Sequence, residues 1–264
     1  MTLSVSRKPV PLFDLSGQVA IITGSSRGIG RAIAERMAEH GARVVVSSRK
    51  ADACQATSEA INRACNRSAS IAVPANISSK DELQALVDAT TKAFGPATIL
   101  VCNAASNPYF GPMSGLSDES FRRVLENNVI ANHWLIQMVA PAMCAARDGS
   151  IQLVSSIGGL RGSDTIGAYC ISKAADMQLV RNLAVEYGPH NVRVNCLAPG
   201  VIKTGFSRAL WEDPTLRDRV TTQSPLRRFG EPDDVAGVAV CLAAPAGRYL
   251  TGQTIAIDGG DTIR

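Results

Sequence analysis

The chain has 264 residues, with 27 Lys and Arg against 23 Asp and Glu. That length can bury a full core in one α/β domain, and so small and dispersed an excess of charge argues against nucleic acid as a partner. Seven cysteines with no Cys-x-x-Cys pair exclude a disulfide framework and a zinc ribbon, and the three histidines lack ligand spacing, so no metal site is expected.

Residues 1–12 read as a flexible N-terminal tail, followed by a single domain over residues 13–264. Pro9, Pro11 and Asp14 interrupt any apolar leader after Arg7 and Lys8, and no run reaches the ~18 apolar residues of a membrane span. Thr262-Ile263-Arg264 is not a peroxisomal address. A cytoplasmic protein with no membrane partner is expected.

From Val19 onward short β-branched runs alternate with longer helical stretches. Strands are expected at Val19–Thr23, Arg43–Ser47, Ile71–Val73, Ile99–Cys102, Ile151–Ser155, Val192–Leu197 and Thr254–Ile257. Several are apolar on both alternate sets, as when helices cover both faces of a parallel sheet. The fold class expected is therefore α/β, a doubly wound parallel sheet with helices on both faces.

The first strand runs into Gly24-Ser25-Ser26-Arg27-Gly28-Ile29-Gly30, which opens a helical stretch. Glycines there let a strand turn sharply and let helix N-terminal amides meet a pyrophosphate, so a dinucleotide is expected on Gly24, Ser26, Arg27, Gly28, Ile29 and Gly30. The second strand ends in Ser47-Ser48-Arg49-Lys50, where an acid would hold the ribose hydroxyls of NAD. Hydroxyls and cations in its place, with Arg27 nearby, favour a 2′-phosphate and hence NADP(H), held by Ser48 and Arg49.

A long helix is expected over Glu119–Arg147, kinked toward its end by Pro141. Its Val129, Trp134, Ile136 and Met138 give more apolar surface than one sheet needs, which points to self-association. A second long helix, Thr165–Gly188, carries Tyr169 and Lys173 four apart on one face. An ammonium beside a phenol favours the phenolate and brings a pKa of ~10 toward neutrality, so Tyr169 could exchange a proton with an alcohol or carbonyl oxygen. Thirteen residues before Tyr169, Ser155 and Ser156 stand at a strand end facing the ligand crevice.

With Asn103-Ala104-Ala105, Asn127-Asn128-Val129, Arg193-Val194-Asn195 and Pro199-Gly200, these motifs make the chain resemble the short-chain dehydrogenase/reductase family over nearly its whole length. The resemblance implies a Rossmann-like domain with Tyr169 as general acid/base and Ser156 as the hydroxyl that binds the substrate oxygen. It makes Lys173 both the tuner of Tyr169 and a ligand of the nicotinamide ribose, with Asn128 holding a water that links Lys173 to solvent. Tyr169 is thereby also at the cofactor, Asn103, Ala104 and Ala105 line it, Asn76 and Ile77 lie beside its adenine, and Pro199, Gly200, Ile202 and Thr204 flank its carboxamide end. A homotetramer is implied as well.

The chain departs from the family pattern at Cys102 and Ala105, usually Asn and Gly, and at Asn76-Ile77, often Asp-Val. An amide at Asn76 still donates and accepts hydrogen bonds. Ser155 reads as a buried strand-end hydroxyl and Cys170 as packing.

The substrate wall is expected from Asn107 to Met113, from Ile157 to Ile166, and from a long segment at 203–232 with Phe206, Leu210, Leu216 and Trp211, which reads either as an irregular, mobile flap with an apolar underside or as a surface helix packed on the body. That lining fits an apolar ketone or aldehyde, as in NADPH-dependent carbonyl reductases of the family. A 3-oxoacyl thioester is the alternative substrate, and a non-catalytic NADP(H)-binding regulator the alternative role. Gly24-x-Ser26-x-Gly28 also spells a nucleophile elbow, but it follows the first strand, and His40 reads as a helix end with His133 and His190 structural, so a serine hydrolase is set aside.

Overall fold

The computed structural model describes residues 11–263. Strands β1 (Val19–Thr23), β2 (Arg43–Ser47), β3 (Ser70–Ala72), β4 (Ile99–Cys102), β5 (Gly149–Val154), β6 (Val192–Pro199) and β7 (Thr254–Ile257) alternate with helices. They form one parallel sheet in the order β3-β2-β1-β4-β5-β6-β7, with Ile21 opposite both Val45 and Leu100. The strand order reverses between β1 and β4. A crevice at the carboxyl ends of the strands is expected at such a reversal.

The helices are α1 (Gly28–Glu39), α2 (Ala51–Cys65), α3 (Lys80–Phe94), α4 (Asp118–Leu125), α5 (Ala131–Ala146), α6 (Gly167–Tyr187), α7 (Arg208–Glu212), α8 (Pro214–Gln223) and α9 (Pro232–Ala243). Both faces of the sheet are apolar because each face meets helices. Ala20, Ile22, Val44, Val46 and Val101 pack with Ile33 and Met37 of α1 and Val235 and Ala239 of α9. The alternate residues Ile21, Val45, Leu100 and Leu153 pack with Leu83 of α3, Leu135 and Val139 of α5, and Met177 and Val180 of α6. Truncating such a residue to alanine costs about 2–5 kcal/mol.

Several expectations need correction. β3 begins one residue earlier than the pattern indicates, and β5 spans 149–154, so Ser155 lies just beyond it. β6 runs two residues farther, to Pro199. The segment at 203–232, read as a flap or a surface helix, holds two helices, α7 and α8, the latter started by Asp213 accepting from the Leu216 N–H and by Pro214 in its first turn.

The helix expected over Glu119–Arg147 is interrupted by a π turn at Glu126–Ile130, whose extra residue places Asn128 inward. The 29-residue helical unit Asp118–Ala146 is long and apolar enough to cross a membrane, contrary to the sequence reading, yet Leu135, Ile136, Val139 and Met143 lie in the core. Of the apolar residues expected at its surface, Ile136 is wholly buried, whereas Trp134 and Met138 pack against the same core but are only partly buried.

Of the expected tail, residues 1–10 lie outside the described residues. The carbonyl of Leu12, by contrast, accepts from Ala246 N–H at 2.9 Å and ties that end to the body.

Candidate active site

The glycine turn is held from three sides. Ser25 is buried, donates its hydroxyl to Ile22 O at 2.6 Å and accepts from Ser47 N–H at 2.9 Å, which joins the turn to the end of β2. Thr57 of α2 donates to Ser26 O. Asn103, just past β4, donates through Nδ2 to Thr23 O at 2.9 Å and Gly24 O at 3.2 Å, while Thr23 Oγ1 accepts from the N–H groups of Asn103 and Ala104.

Two glycines show why the turn has no side chains. Gly28 stands at φ +57°, and a Cβ there would meet Thr204 Cγ2 at 3.4 Å, so the turn faces the loop after β6 across a narrow gap. A Cβ on Gly30 would come within 2.5 Å of Asn103 Nδ2 and 2.6 Å of Gly24 O. The N-terminus of α1 has no side-chain cap and no acid in its first turn. Its amides and dipole therefore suit a phosphate, and the residues present fit a dinucleotide.

At the end of β2, Ser48 Oγ lies 3.1 Å from Cys54 Sγ, and Arg49 and Lys50 are exposed. Arg27 is exposed on the turn, and no ion pair or side-chain hydrogen bond forms on Arg27 or Arg49 among the described residues. Asn76 donates its N–H to the Glu82 carboxylate and accepts from the Ser78 N–H at its Oδ1. Two residues expected beside the cofactor have packed side chains. Ile77 leans on the α3 and α5 core, and Ile202 is buried under Gly230.

The catalytic candidates come from β5 and α6. Ser155 is buried and donates to Lys173 O at 2.8 Å, as a strand-end hydroxyl should. Ser156 is half-buried and its Oγ accepts from Gly158 N–H at 3.0 Å. The turn after it is pressed onto α6: a Cβ on Gly158 would lie 3.2 Å from Cys170 Sγ, and one on Gly159 would lie 2.8 Å from Ala174 N. Ser156 is thus clamped against the face that carries Tyr169 and Lys173. Cys170 is buried in that contact, in keeping with its reading as packing.

Lys173 is 2% exposed, with its ammonium 5.6 Å from the centroid of the Tyr169 ring. It donates to Val154 O at 2.8 Å and pairs with Asp176 at 3.1 Å. Asp176, with Asn132 of α5 donating to its other oxygen at 3.2 Å, was not evident in the sequence, where an acid three residues after a lysine looks like a solvated helix face. Burial alone would push the Lys173 ammonium down; the charge of Asp176, Tyr169 and the hydrogen bond to Asp176 more than reverse it, leaving Lys173 above its usual value. Burial raises the Asp176 carboxyl, against the pull of Lys173 and Asn132.

The Asn128 side chain is fully engaged. Its Oδ1 accepts from Ser106 N–H at 2.8 Å, and its Nδ2 donates to Ser106 O and to Ser172 Oγ, both at 3.0 Å. Its carbonyl accepts from Asn132 Nδ2 at 2.6 Å. The Asn128 side chain is thereby a clamp that joins the loop after β4 to α6.

The candidate substrate wall is apolar. Gly111 N–H donates to Thr165 O at 2.8 Å, tying together two of its stretches, and Phe110, Met113 and Leu160 are exposed. Phe206 is 66% exposed and its ring centroid lies 6.1 Å from that of Tyr169. Trp211 instead donates its indole N–H to Thr204 O at 3.0 Å. Arg161 pairs with Asp261 at 2.8 Å and joins the wall to the C-terminal segment. Beneath α8 a cavity of about 530 Å³ is bordered by Ile202, Val220, Leu226 and Ile257.

Comparison with known proteins agrees with this arrangement. Residues 24–262 match the family model described as enoyl-(acyl carrier protein) reductase. The human dehydrogenase/reductase SDR family member 4 is 39% identical over 95% of this chain and 89% of its own length. Two solved structures superpose closely. A 7α-hydroxysteroid dehydrogenase complexed with NADH and 7-oxo-glycochenodeoxycholic acid has a TM-score of 0.89 and 36% identity, covering 94% of this chain and 95% of that one. A gluconate 5-dehydrogenase from Burkholderia cenocepacia, in complex with NADP and tartrate, has a TM-score of 0.90 and 28% identity over 96% and 98%.

Proposed function

This chain belongs to the short-chain dehydrogenase/reductase family and is an oxidoreductase that interconverts carbonyls and alcohols, and from that premise we propose that it is an NADP(H)-dependent reductase of apolar ketones or aldehydes. The observation that carries the chemistry is the clamp of the Ser156 turn onto the α6 face that bears Tyr169 and Lys173. When bound, the nicotinamide supplies a hydride to the carbonyl carbon, or accepts one from the alcohol. Ser156 Oγ donates to the substrate oxygen, and the Tyr169 hydroxyl gives that oxygen its proton. Lys173 favours the phenolate that results and holds the ribose. The glycine turn and the N-terminus of α1 hold the pyrophosphate, with Asn103 fixing the turn.

NADP(H) is preferred in this reading because β2 ends without an acid while Arg27 and Arg49 stand exposed and unpaired, ready for a 2′-phosphate. The relatives' own ligands do not decide the matter, since one structure holds NADH and another NADP. Titration with NADPH and NADH tests the preference. Tighter NADPH by about tenfold or more is expected, and equal or tighter NADH overturns it.

The apolar residues Phe110, Met113, Leu160 and Phe206 support a free ketone or aldehyde as substrate. An acyl thioester is the second reading, favoured by the description of the matching family model. Kinetics with a matched ketone and 3-oxoacyl thioester, following loss of NADPH absorbance, separate the two. We further propose a homotetramer in the cytoplasm, the latter because all seven cysteines are free thiols. Cell fractionation tests the compartment.

A further inference from the structure

Beyond Lys173 the buried face of α6 is carried by Met177, Val180, Leu183 and Ala184 of the core, yet Asp176 lies among them with no exposure to solvent. A buried carboxylate is costly, and an ion pair in such a place seldom stabilises a fold more than apolar side chains of similar size would. Packing therefore gives no reason for an acid here. Its partners do.

Asp176 Oδ2 lies 3.1 Å from the Lys173 ammonium, and Oδ1 accepts from Asn132 Nδ2 at 3.2 Å. Asn132 also donates to the carbonyl of Asn128 in the π turn, so the orientation of the carboxylate is fixed from α5. Val154 O, at the end of β5, takes a second hydrogen bond from the ammonium. The other titratable groups near the pair are Tyr169 on the same helix, Cys102 on β4 and Cys196 on β6. Burial raises both thiols, Cys196 to about 12, so neither supplies a charge at neutral pH. Asp176 is then the one anionic group holding this cation among the described residues.

We propose that Asp176, oriented by Asn132, is a positioning residue that keeps the buried Lys173 protonated and seats its ammonium beneath Tyr169. The inference rests on the roles given to Lys173 and Tyr169 above and adds what maintains them. Lys173 is almost wholly removed from solvent, and that desolvation favours the neutral amine. A neutral amine neither stabilises a phenolate nor holds a ribose as a cation does. Without Asp176, the lysine would release its proton at a lower pH, and cofactor affinity and turnover would weaken together as that proton left.

The test is the dissociation constant of NADPH, read by fluorescence titration, and the kcat profile, both from about pH 6 to about pH 9.5, for the wild type, Asp176→Asn and Asp176→Glu. The wild-type dissociation constant is expected to change less than about threefold across the range. Asp176→Asn should match it near the acid end, weaken about tenfold or more toward the alkaline end, and lose kcat over the same interval. Asp176→Glu, which keeps the carboxylate, should restore most of the alkaline affinity. Superimposable profiles for Asp176→Asn and wild type overturn the proposal, as does an Asp176→Glu profile no flatter than that of Asp176→Asn.

Should Asp176→Asn not fold, the wild type decides against Lys173→Arg, whose guanidinium stays charged throughout. A loss of affinity setting in between about pH 7 and about pH 9 in the wild type, absent from Lys173→Arg, would reveal a lysine that deprotonates despite Asp176 and overturns the proposal. Matching flat profiles support it. Failure of the wild type to bind NADPH or NADH at any pH overturns the functional reading and this role with it, whereas normal binding with identical variant profiles overturns only the role of Asp176.

Discussion

Tyr169 is half-buried, with Phe206 beside its ring and the Lys173 ammonium 5.6 Å from its centroid. Tyr169→Phe removes the proton donor and little else. Its kcat should fall by about 10²-fold or more while the NADPH dissociation constant stays within about twofold, measured by steady-state kinetics and titration. Retention of more than a few per cent of activity, to order of magnitude, would mean that another group moves the proton. Arg49→Asp tests the cofactor reading in the same way. It should reverse the preference toward NADH, because a carboxylate repels a 2′-phosphate and accepts from ribose hydroxyls. At this scale the sequence was legible where the spacing of two side chains carried the meaning, as for Tyr169 and Lys173 on one helix. Asp176 and Asn132 were not, because their significance lies in burial and in contact between α5 and α6. Asn128 was legible as a polar residue of the site, but its clamp on Ser106 and Ser172 depends on the π turn, which no periodicity announces.

The elements that position the site divide into a rigid pair and a looser one. The turn between β1 and α1 is rigid because Asn103, Thr23 and Ser25 tie it to β4 and β2. Gly30→Ala should therefore do more than add a methyl group. A Cβ 2.5 Å from Asn103 Nδ2 forces the turn off β4, and titration should show NADPH binding weakened by about tenfold or more. The α7–α8 segment has no buried residue within α8 and presents Phe206 to Tyr169 across an open face. Phe206→Ala is expected to raise KM for a bulky ketone by about three- to tenfold with a smaller change in kcat, since it removes apolar contact rather than chemistry. Hydrogen exchange should likewise show this segment gaining protection in a ternary complex with an unreactive ketone analogue; identical protection with and without ligands would make it ordinary packing. The strands were legible because β-branched runs bounded by glycine and polar residues have few alternatives. The two helices of the flap were not, because their apolar residues are sparse and their start depends on Asp213 and Pro214.

Taken as a whole, the molecule follows from its order of elements. Right-handed crossovers leave few ways to arrange seven parallel strands, and the reversal between β1 and β4 puts the glycine turn, Asn103 and the Ser156 turn at the carboxyl ends of the strands. Even Arg193-Val194-Asn195, first noticed only as a family motif, has a place in this assembly. Arg193 donates to the carbonyls of Leu242, Ala243 and Gly247 at the end of α9, and Asn195 pins Leu250 and Gln253 before β7. Quaternary structure is less legible from one chain, since the apolar residues that mark an interface look like core until the fold is known. On the long helix Ile136 is core, while Val129, Trp134 and Met138 are only partly buried and Ile130 is exposed; Val185 on α6 is 80% exposed and Tyr249 fully so. Gly252, near Tyr249, abuts Ala184, so the two residues belong to neighbouring parts of the surface. Apolar exposure of that kind in a folded chain is commonly covered by a second copy. Sedimentation velocity at micromolar concentration should therefore give about four times the 27.8 kDa chain mass. Val185→Glu with Tyr249→Glu should shift the distribution toward smaller species while circular dichroism stays unchanged, because neither side chain packs within its own chain. A wild type that sediments only as monomer contradicts the tetramer, and an unshifted double variant moves the interface to another face of the molecule.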